Sequence, residues 1–594
     1  MTTPEGQGRL DAGTLAGRAR EQGLKAFAAG RFDIARRAFA DALRFGPEVP
    51  FHRLALGTAE ALGGQTGPAI ATLLDVLGSR PDKAIETQAA LTLFALTMRW
   101  RLPAEAFSPE QIATVAACLA RDDFDPQPLG LVALEIVRAR TPMARAYEIL
   151  RREGPAAAAA WAVSSKGRKA ATDRLFLGFL SRAVNVDAET ETFLIALRAA
   201  LAALPHVELK DRHARELGVA LVSQCLANEY AWPVSEAERR ALAKPPADPD
   251  ARALLAMLYP SDAHLRDAEA LQRLAKGANE PLKGLILGRV REIREERRLA
   301  AEIESLAPLT DASSALVARH YEENPYPRWR GQIVAQPGVA AFGLGAQAPP
   351  PWKILVAGTG TGRQALAVAA FAGPESEVVG LDLSRASLAY AKRMARHCGL
   401  ERVRFVQGDL LDVARLGLTF DRIEAVGVLH HMKEPLEGWR RLAACVAPGG
   451  VIKIGLYSQA ARPAIEAARR LIAERGLAPT PEGIREARRL ILAAPPGDAL
   501  RGVQAFADFY ALSEARDLLF HPIEHRFDIP AIRAALETLG LVFDGFELPE
   551  EILRGFRISH PAAEAERDLT LWQAWEAAHP ETFAGMYVFQ ARRA

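Results

Sequence analysis

Cysteine is scarce, and the four present in 594 residues (Cys118, Cys225, Cys398 and Cys445) lie far apart. With no CxxC pair there is no sign of a thiolate zinc cage or a disulfide framework, so a reducing compartment is expected. No stretch is long and uncharged enough to span a bilayer, and the opening MTTPEGQGRLDAGTLAGRAR has no apolar signal core. The expectation is therefore a cytoplasmic protein with no membrane partner. Nor does one sign of charge prevail: 74 Lys plus Arg stand against 72 Asp plus Glu, a net charge of +2, so there is no clear nucleic-acid signal. What the chain does have is length and apolar content, 49% of its residues, enough for two to four separate cores.

The first half reads as helical throughout. Moving residues 23–47 along by 34 (57 minus 23) matches Gly23 with Gly57, Gly30 with Gly64, Ala35 with Ala69, Asp41 with Asp75, Leu43 with Leu77 and Pro47 with Pro81. That offset is the period of tetratricopeptide helix pairs, whose small residues fall where helices must approach. We expect such repeats over residues 16–100 and a further helical domain over 101–306, where segments such as ETFLIALRAALAAL carry apolar faces but no active-site motif. Residues 307–349 form an expected linker, and it is dense in aromatics: HYEENPYPRWRG holds Tyr321, Tyr326 and Trp329. Such rings need a surface, so they either glue the helical half to the next domain or fold as a flap over a ligand.

From residue 350 to the C-terminus, strand and helix patterns alternate as in a parallel α/β sheet. A proline-bearing helical insertion is expected over 459–525, with Thr480 and Pro481 opening its second helix. The tail GMYVFQARR supplies an edge strand, which brings the expected count to seven. The first strand and turn, ILVAGTGTG, bring Gly358, Gly360 and Gly362 to the mouth of a helix, and Asp382 ends the next strand 20 positions later (382 minus 362). This is the β-turn-α unit of a nucleotide-type cofactor site, with Asp382 placed to meet a ribose diol. A dinucleotide fingerprint would need glycine at 363, where Arg363 stands, and a phosphate-cradling loop would need a Gly-Lys-Ser/Thr that is absent. Two more acids at strand ends come in order, Asp409 in VQGDLLD and Asp421 in FDRIEAVGVLHH.

Through ILVAGTGTG, VVGLDLS, VRFVQGDLLD, FDRIEAVGVLHHMKEP and VAPGG, in that order, residues 350–458 resemble the class I S-adenosylmethionine-dependent methyltransferases. The resemblance implies a Rossmann-like domain over 350–594 and S-adenosyl-L-methionine as cofactor. It also implies that backbone at Gly358, Gly360 and Gly362 holds the methionyl part, Asp382 the ribose hydroxyls and Asp409 with Leu410 the adenine, with Thr359 and Leu383 as further cofactor-binding residues. The family usually has an acid at the end of its first strand, where this chain has Val356 and Ala357, and often a cysteine where Thr359 stands. The HYEENPYPRW segment is also similar to a bacterial subgroup that joins tetratricopeptide repeats to such a domain.

Methyl transfer is an in-line displacement, so alignment is its main requirement. Where the acceptor must lose a proton, His430 or His431 at a strand end is placed to take it, although one of the pair fits equally well as a buried, satisfied polar group. Acceptor or lid candidates are Tyr321, Tyr326, Trp329, Tyr457, Tyr510, His521, Glu524 and His525. HPIEH matches a zinc-peptidase pattern, but Pro522 prevents the helix that pattern requires, so no metal is expected. The expected function is methyl transfer to an acceptor that the helical half recruits or shapes, a protein or peptide rather than a small molecule. The alternative is a non-catalytic interaction protein with an S-adenosylmethionine-sensing pocket.

Overall fold

The computed structural model describes residues 11–99, 107–259, 266–331, 333, 351–583 and 585–593. Residues 334–350, which carry most of the GLGAQAPPP part of the expected linker, lie outside them. The chain divides into two compact units. The first takes in Met1–Arg145 and Asp173–Ala183; the second takes in Ala146–Thr172, Val184–Gly338 and Gln347–Ala594.

The first unit is helical among its described residues, opening with Ala12–Ala28, Phe32–Phe45, Pro50–Leu62 and Thr66–Gly78. Phe32, Ala35, Ala38, Phe39 and Ala42 are buried at helical spacing, so one face of the second helix is core. Glycine stands where helices come closest: a Cβ on Gly23 would lie 2.5 Å from the Phe39 ring, and one on Gly57 would lie 2.9 Å from Leu73. The second contact is the first moved along by 34 (57 minus 23, 73 minus 39), so the sequence offset recurs in the packing. Among the described residues no helix is long and apolar enough to cross a membrane.

The second unit holds the sheet: β1 (Glu304–Ser305), β2 (Lys353–Ala357), β3 (Glu377–Asp382), β4 (Arg404–Gln407), β5 (Phe420–Val426), β6 (Val446–Tyr457), β7 (Leu541–Phe546) and β8 (Met586–Arg593). Their order is β1-β4-β3-β2-β5-β6-β8-β7, eight strands among the described residues where seven were expected. The additional one, β1, is two exposed polar residues with no periodicity to betray them, and its pairing with Val406 and Gln407 is what makes it a strand. All pairings are parallel except those of β8, which runs antiparallel to β6 and β7. Both faces are covered. Leu355 and Ala357 of β2 enter one core, Ile354 and Val356 the other, and all four are essentially inaccessible.

Helix Leu282–Ala301 packs on Arg385–His397 through Arg393 to Glu296 (2.9 Å) and Arg396 to Glu295 (3.2 Å) before the chain enters β1. The helical insertion is present as Pro463–Glu474, Pro481–Leu492, two 3₁₀ turns and Leu512–Phe520, and the Thr480 hydroxyl caps the second helix by accepting from Gly483 N–H. Residues 184–306 clamp it. Arg488, fully buried, donates to Glu191 at 2.5 Å, to Phe509 O at 2.6 Å and to Ala231 O, while Ser513 N–H donates to Glu229 at 2.8 Å.

Candidate active site

At the carboxyl ends of β2 and β5, where the strand order reverses about β2, a cleft of about 810 Å³ opens. One wall is the glycine turn. Gly358, Gly360 and Gly362 have φ of +66°, +52° and +84°, and a Cβ on Gly360 would lie 2.6 Å from the Tyr326 carbonyl oxygen. A side chain is excluded there twice, by backbone conformation and by space. Asp382 fixes the turn: its carboxylate accepts from Gly360 N–H at 2.7 Å and from Ser384 N–H at 2.9 Å. A carboxylate has about four lone-pair sites, so capacity remains for a diol. Burial pushes the Asp382 carboxyl up to about 6, against the pull of those backbone donors. Asp409, buried at the end of β4, caps the next 3₁₀ turn through Leu411 N–H at 2.9 Å and lines the cleft with Leu410.

The aromatic segment lies directly against the glycine turn. Helix Ala312–Glu323 delivers Tyr321, and the chain then passes beneath the loop: Thr361 N–H donates to Tyr326 O at 3.3 Å, the Thr361 hydroxyl donates to Pro327 O, and Trp329 Nε1–H donates to Thr361 O at 3.2 Å. Tyr321 and Tyr326 line the cleft, whereas Trp329 is buried behind the turn with its own carbonyl receiving the Tyr390 hydroxyl.

The opposite wall is built from side chains. Tyr457 ends β6, with the His430 ring stacked 3.8 Å away on it and the Arg462 guanidinium 3.9 Å from its ring centre. Arg462 also pairs with Glu524 at 2.6 Å, and Glu524 in turn takes Arg469 at 3.2 Å. From the insertion, Asp517 accepts from the Tyr321 hydroxyl at 2.7 Å, and Asp508 faces Tyr326. Burial raises both Asp508 and Asp517 to about 6, and it raises Glu514 well above the ordinary range. His431 lines the cleft, its Nδ1 2.8 Å from Ile523 O, and burial lowers it to about 4. A carbonyl can only accept, so Nδ1 carries the proton and Nε2 remains the basic atom.

The structure thus gathers Gly358, Thr359, Gly360, Asp382, Leu383, Asp409, Leu410, Tyr321, Tyr326, Tyr457 and His431 around one cleft. The others stand apart from its lining. Gly362 packs on Ala391; His430 is sealed under Tyr457, and burial holds its pKa well below the ordinary value. The Tyr510 hydroxyl donates to Gln504 O within the insertion core. Glu524 is engaged by two arginines, the His525 N–H donates to His430 O, and His521 is buried beside His431, ring centres 3.7 Å apart. Sequence reasoning assigns no role to Asp508, Arg462 or Asp517, all of which line the cleft. No spacing links them to the glycine turn.

A glycine-turn cleft at the switch point of a parallel sheet closed by an antiparallel strand defines a nucleotide-cofactor α/β enzyme. A methyltransferase domain model matches residues 354–450. An uncharacterised Synechococcus protein is 30% identical over 317 residues, 47% of this chain and 73% of that protein. An Acidovorax trans-aconitate 2-methyltransferase is 30% identical over 192 residues, 32% of this chain and 67% of that protein. The chain belongs to the class I S-adenosylmethionine-dependent methyltransferases. Among solved structures, PKMT2 from Rickettsia typhi in complex with AdoHcy aligns at a TM-score of 0.33 and 15% identity, covering 41% of this chain and half of that one.

Proposed function

We propose that the chain transfers the methyl group of S-adenosylmethionine to a neutral nucleophile, an amine or a hydroxyl, seated between the glycine turn and the helical insertion. The observation that carries this is a single cleft with two unlike walls. One is a backbone cradle with a diol-ready carboxylate; the other is an aromatic and acidic lobe made by Tyr321, Tyr326, Tyr457, Asp508 and Asp517. The cofactor supplies an electrophilic methyl on a sulfonium. Backbone at Gly358, Thr359 and Gly360 holds its methionyl part, Asp382 and Leu383 its ribose, and Asp409 with Leu410 its adenine. The three tyrosine rings exclude water and fix the acceptor for in-line approach. His431, neutral through burial, offers one basic nitrogen to the acceptor side.

Charge narrows the acceptor class. Asp508 and Asp517 line the lobe together with Arg462, whose guanidinium is already matched by Glu524. A polyanion like the trans-aconitate named for the Acidovorax relative would be repelled by these two carboxylates when they are ionised, whereas an amine or a hydroxyl could donate to them. A protein or peptide acceptor is the favoured reading, supported by the 34-residue packing repeat of the first unit, since repeat surfaces suit extended chains. Residues 184–306 act differently. They shape the acceptor wall by clamping the insertion, as Arg488 and Glu229 exemplify.

Calorimetry with S-adenosylmethionine on wild type and Asp382→Ala tests the cofactor assignment. Binding by the wild type that falls at least about tenfold in the variant, ~1.4 kcal/mol, is expected; a wild type that does not bind would overturn it. Incubating the protein with labelled methyl donor and fractionated cell extract then identifies the acceptor. Label in the protein fraction is expected, and label confined to small anions would refute both the acceptor class and the charge argument.

A further inference from the structure

His431, Asp517 and His521 come from a strand-end turn, the last insertion helix and the residue that caps it, and nothing in the proposed methyl transfer requires all three to meet. They do meet. One ring nitrogen from each histidine and one Asp517 oxygen lie within 4.8 Å of one another, and all three residues are buried. Both imidazoles are oriented by a single acceptor: the Ile523 carbonyl oxygen is 2.8 Å from Nδ1 of His431 and 2.5 Å from Nδ1 of His521. Ile523 N–H also lies 3.2 Å from the His521 Nδ1, but at 2.5 Å from a carbonyl that nitrogen must carry the proton, which excludes the longer contact as a bond. The His521 Nε2 is then an unprotonated nitrogen on a side chain that is 1% exposed, and it has no hydrogen-bond partner among the described residues. An orphaned buried acceptor of this kind is destabilising unless something fills it.

We propose that His431, Asp517 and His521 form a binding site for a divalent transition-metal ion of the Zn²⁺ or Fe²⁺ kind. Two imidazoles and one carboxylate are a borderline donor set that suits these ions, whereas Mg²⁺ and Ca²⁺ require mostly oxygen. The backbone-carbonyl hydrogen bonds to the far nitrogens are the outer-shell arrangement that orients metal-bound histidines, and the Tyr321 hydroxyl plays that part for Asp517 at 2.7 Å. Closing three atoms within 4.8 Å onto one ion at about 2.0–2.2 Å asks the two rings, now tilted by 33°, to splay. The site is not the HPIEH pattern of the sequence: Glu524 is bound by Arg462 and Arg469, and His525 takes no part. Because His431 and Asp517 line the cleft, the open coordination positions face the acceptor lobe, where an acceptor oxygen or nitrogen would complete the sphere and the ion would take over the His431 Nε2 lone pair otherwise offered to the acceptor. That last step rests on the proposed methyl transfer; metal binding itself does not.

The test uses the full-length protein, stripped with chelator and titrated separately with Zn²⁺, Fe²⁺ under anaerobic conditions, and Mg²⁺. One equivalent of Zn²⁺ or Fe²⁺ retained through gel filtration is expected, with no retention of Mg²⁺. Asp517→Asn and His521→Ala should each weaken the retained ion at least tenfold, while Glu524→Gln, outside the trio, should not. Wild type that retains no stoichiometric ion, or equal retention by all variants, would overturn the site. S-adenosylmethionine calorimetry on the same preparations separates the two readings. Variants that bind the cofactor normally are folded, so a metal failure with intact cofactor binding counts against the metal site and not against the methyltransferase assignment.

Discussion

The two walls of the cleft are made in different ways. The cofactor wall is backbone: a turn whose glycines have positive φ, fixed by one carboxylate through the Gly360 N–H, 22 residues away in sequence (382 minus 360). The acceptor wall is side chain. It draws Tyr321 from before the sheet, His431 and Tyr457 from strand ends and Asp508 and Asp517 from the insertion, and residues 184–306 hold it from behind. A backbone wall tolerates change in its neighbours but not in itself, whereas a side-chain wall depends on distant packing. Variants that affect one wall and spare the other measure that difference.

The largest effect is expected at the clamp. Arg488→Leu removes the partner of Glu191 while leaving that carboxylate buried at 1% exposure, a loss of roughly 3–5 kcal/mol. Denaturant unfolding should show it, and cofactor affinity of the folded fraction should stay within about twofold. An equal loss of cofactor affinity would show that the walls are not separable. On the other side, Gly360→Ala forces a Cβ to 2.6 Å from Tyr326 O at a φ of +52°. Affinity for S-adenosylmethionine should fall about a hundredfold, ~3 kcal/mol, and wild-type affinity would remove the turn from the cofactor site.

Acid separates the walls next. Burial raises Asp382 to about 6, so the ionised form that accepts from a diol dominates only above that pH. Cofactor affinity should drop by up to about tenfold per pH unit below 6, and Asp382→Asn should flatten the profile. Stability is the wrong readout. Acids raised in the folded state, Asp382, Asp508 and Asp517, favour folding as pH falls from about 6 toward 4. Histidines depressed in the folded state oppose them: His431, at about 4, loses stability as pH falls below its unfolded value of roughly 6.5. A flat affinity profile in wild type would place the cofactor contact elsewhere.

Legibility followed the same division. Gly358, Gly360, Asp382 and Asp409 announce themselves because a backbone cradle needs particular residues at fixed short spacings, and the alternation of apolar runs fixes the order of β2 to β6. β1 was illegible because two polar residues carry no period, and only pairing with β4 defines them. His430 and His431 were indistinguishable in sequence; a one-residue step in a 3₁₀ turn sends one under Tyr457 and the other into the cleft. Asp508 carries no signal in ADFY, and it is a cleft acid because the insertion, tied down by contacts such as that of Arg488 with Glu191, 297 residues apart, brings it there.

Trp329→Phe is the gentlest of these probes and asks whether the aromatic segment is only glue or also braces the glycine turn. The substitution keeps most of the buried ring and deletes one N–H, the 3.2 Å bond to Thr361 O within the glycine turn. A neutral hydrogen bond contributes about 1 kcal/mol, so melting should drop by a few degrees at most. If the segment is glue, that is the whole effect and cofactor affinity is untouched. If it braces the turn, Thr361 and Gly360 loosen together, because Tyr326 O and Trp329 lie on the same stretch of backbone, and affinity should fall about threefold to fivefold with the stability change. The hydrogen bonds from Thr361 N–H, Thr361 hydroxyl and Trp329 all tie the segment to the turn, which favours the second outcome. Loss of stability without loss of affinity would return the segment to a purely structural role and leave the cofactor wall to the glycines and Asp382 alone.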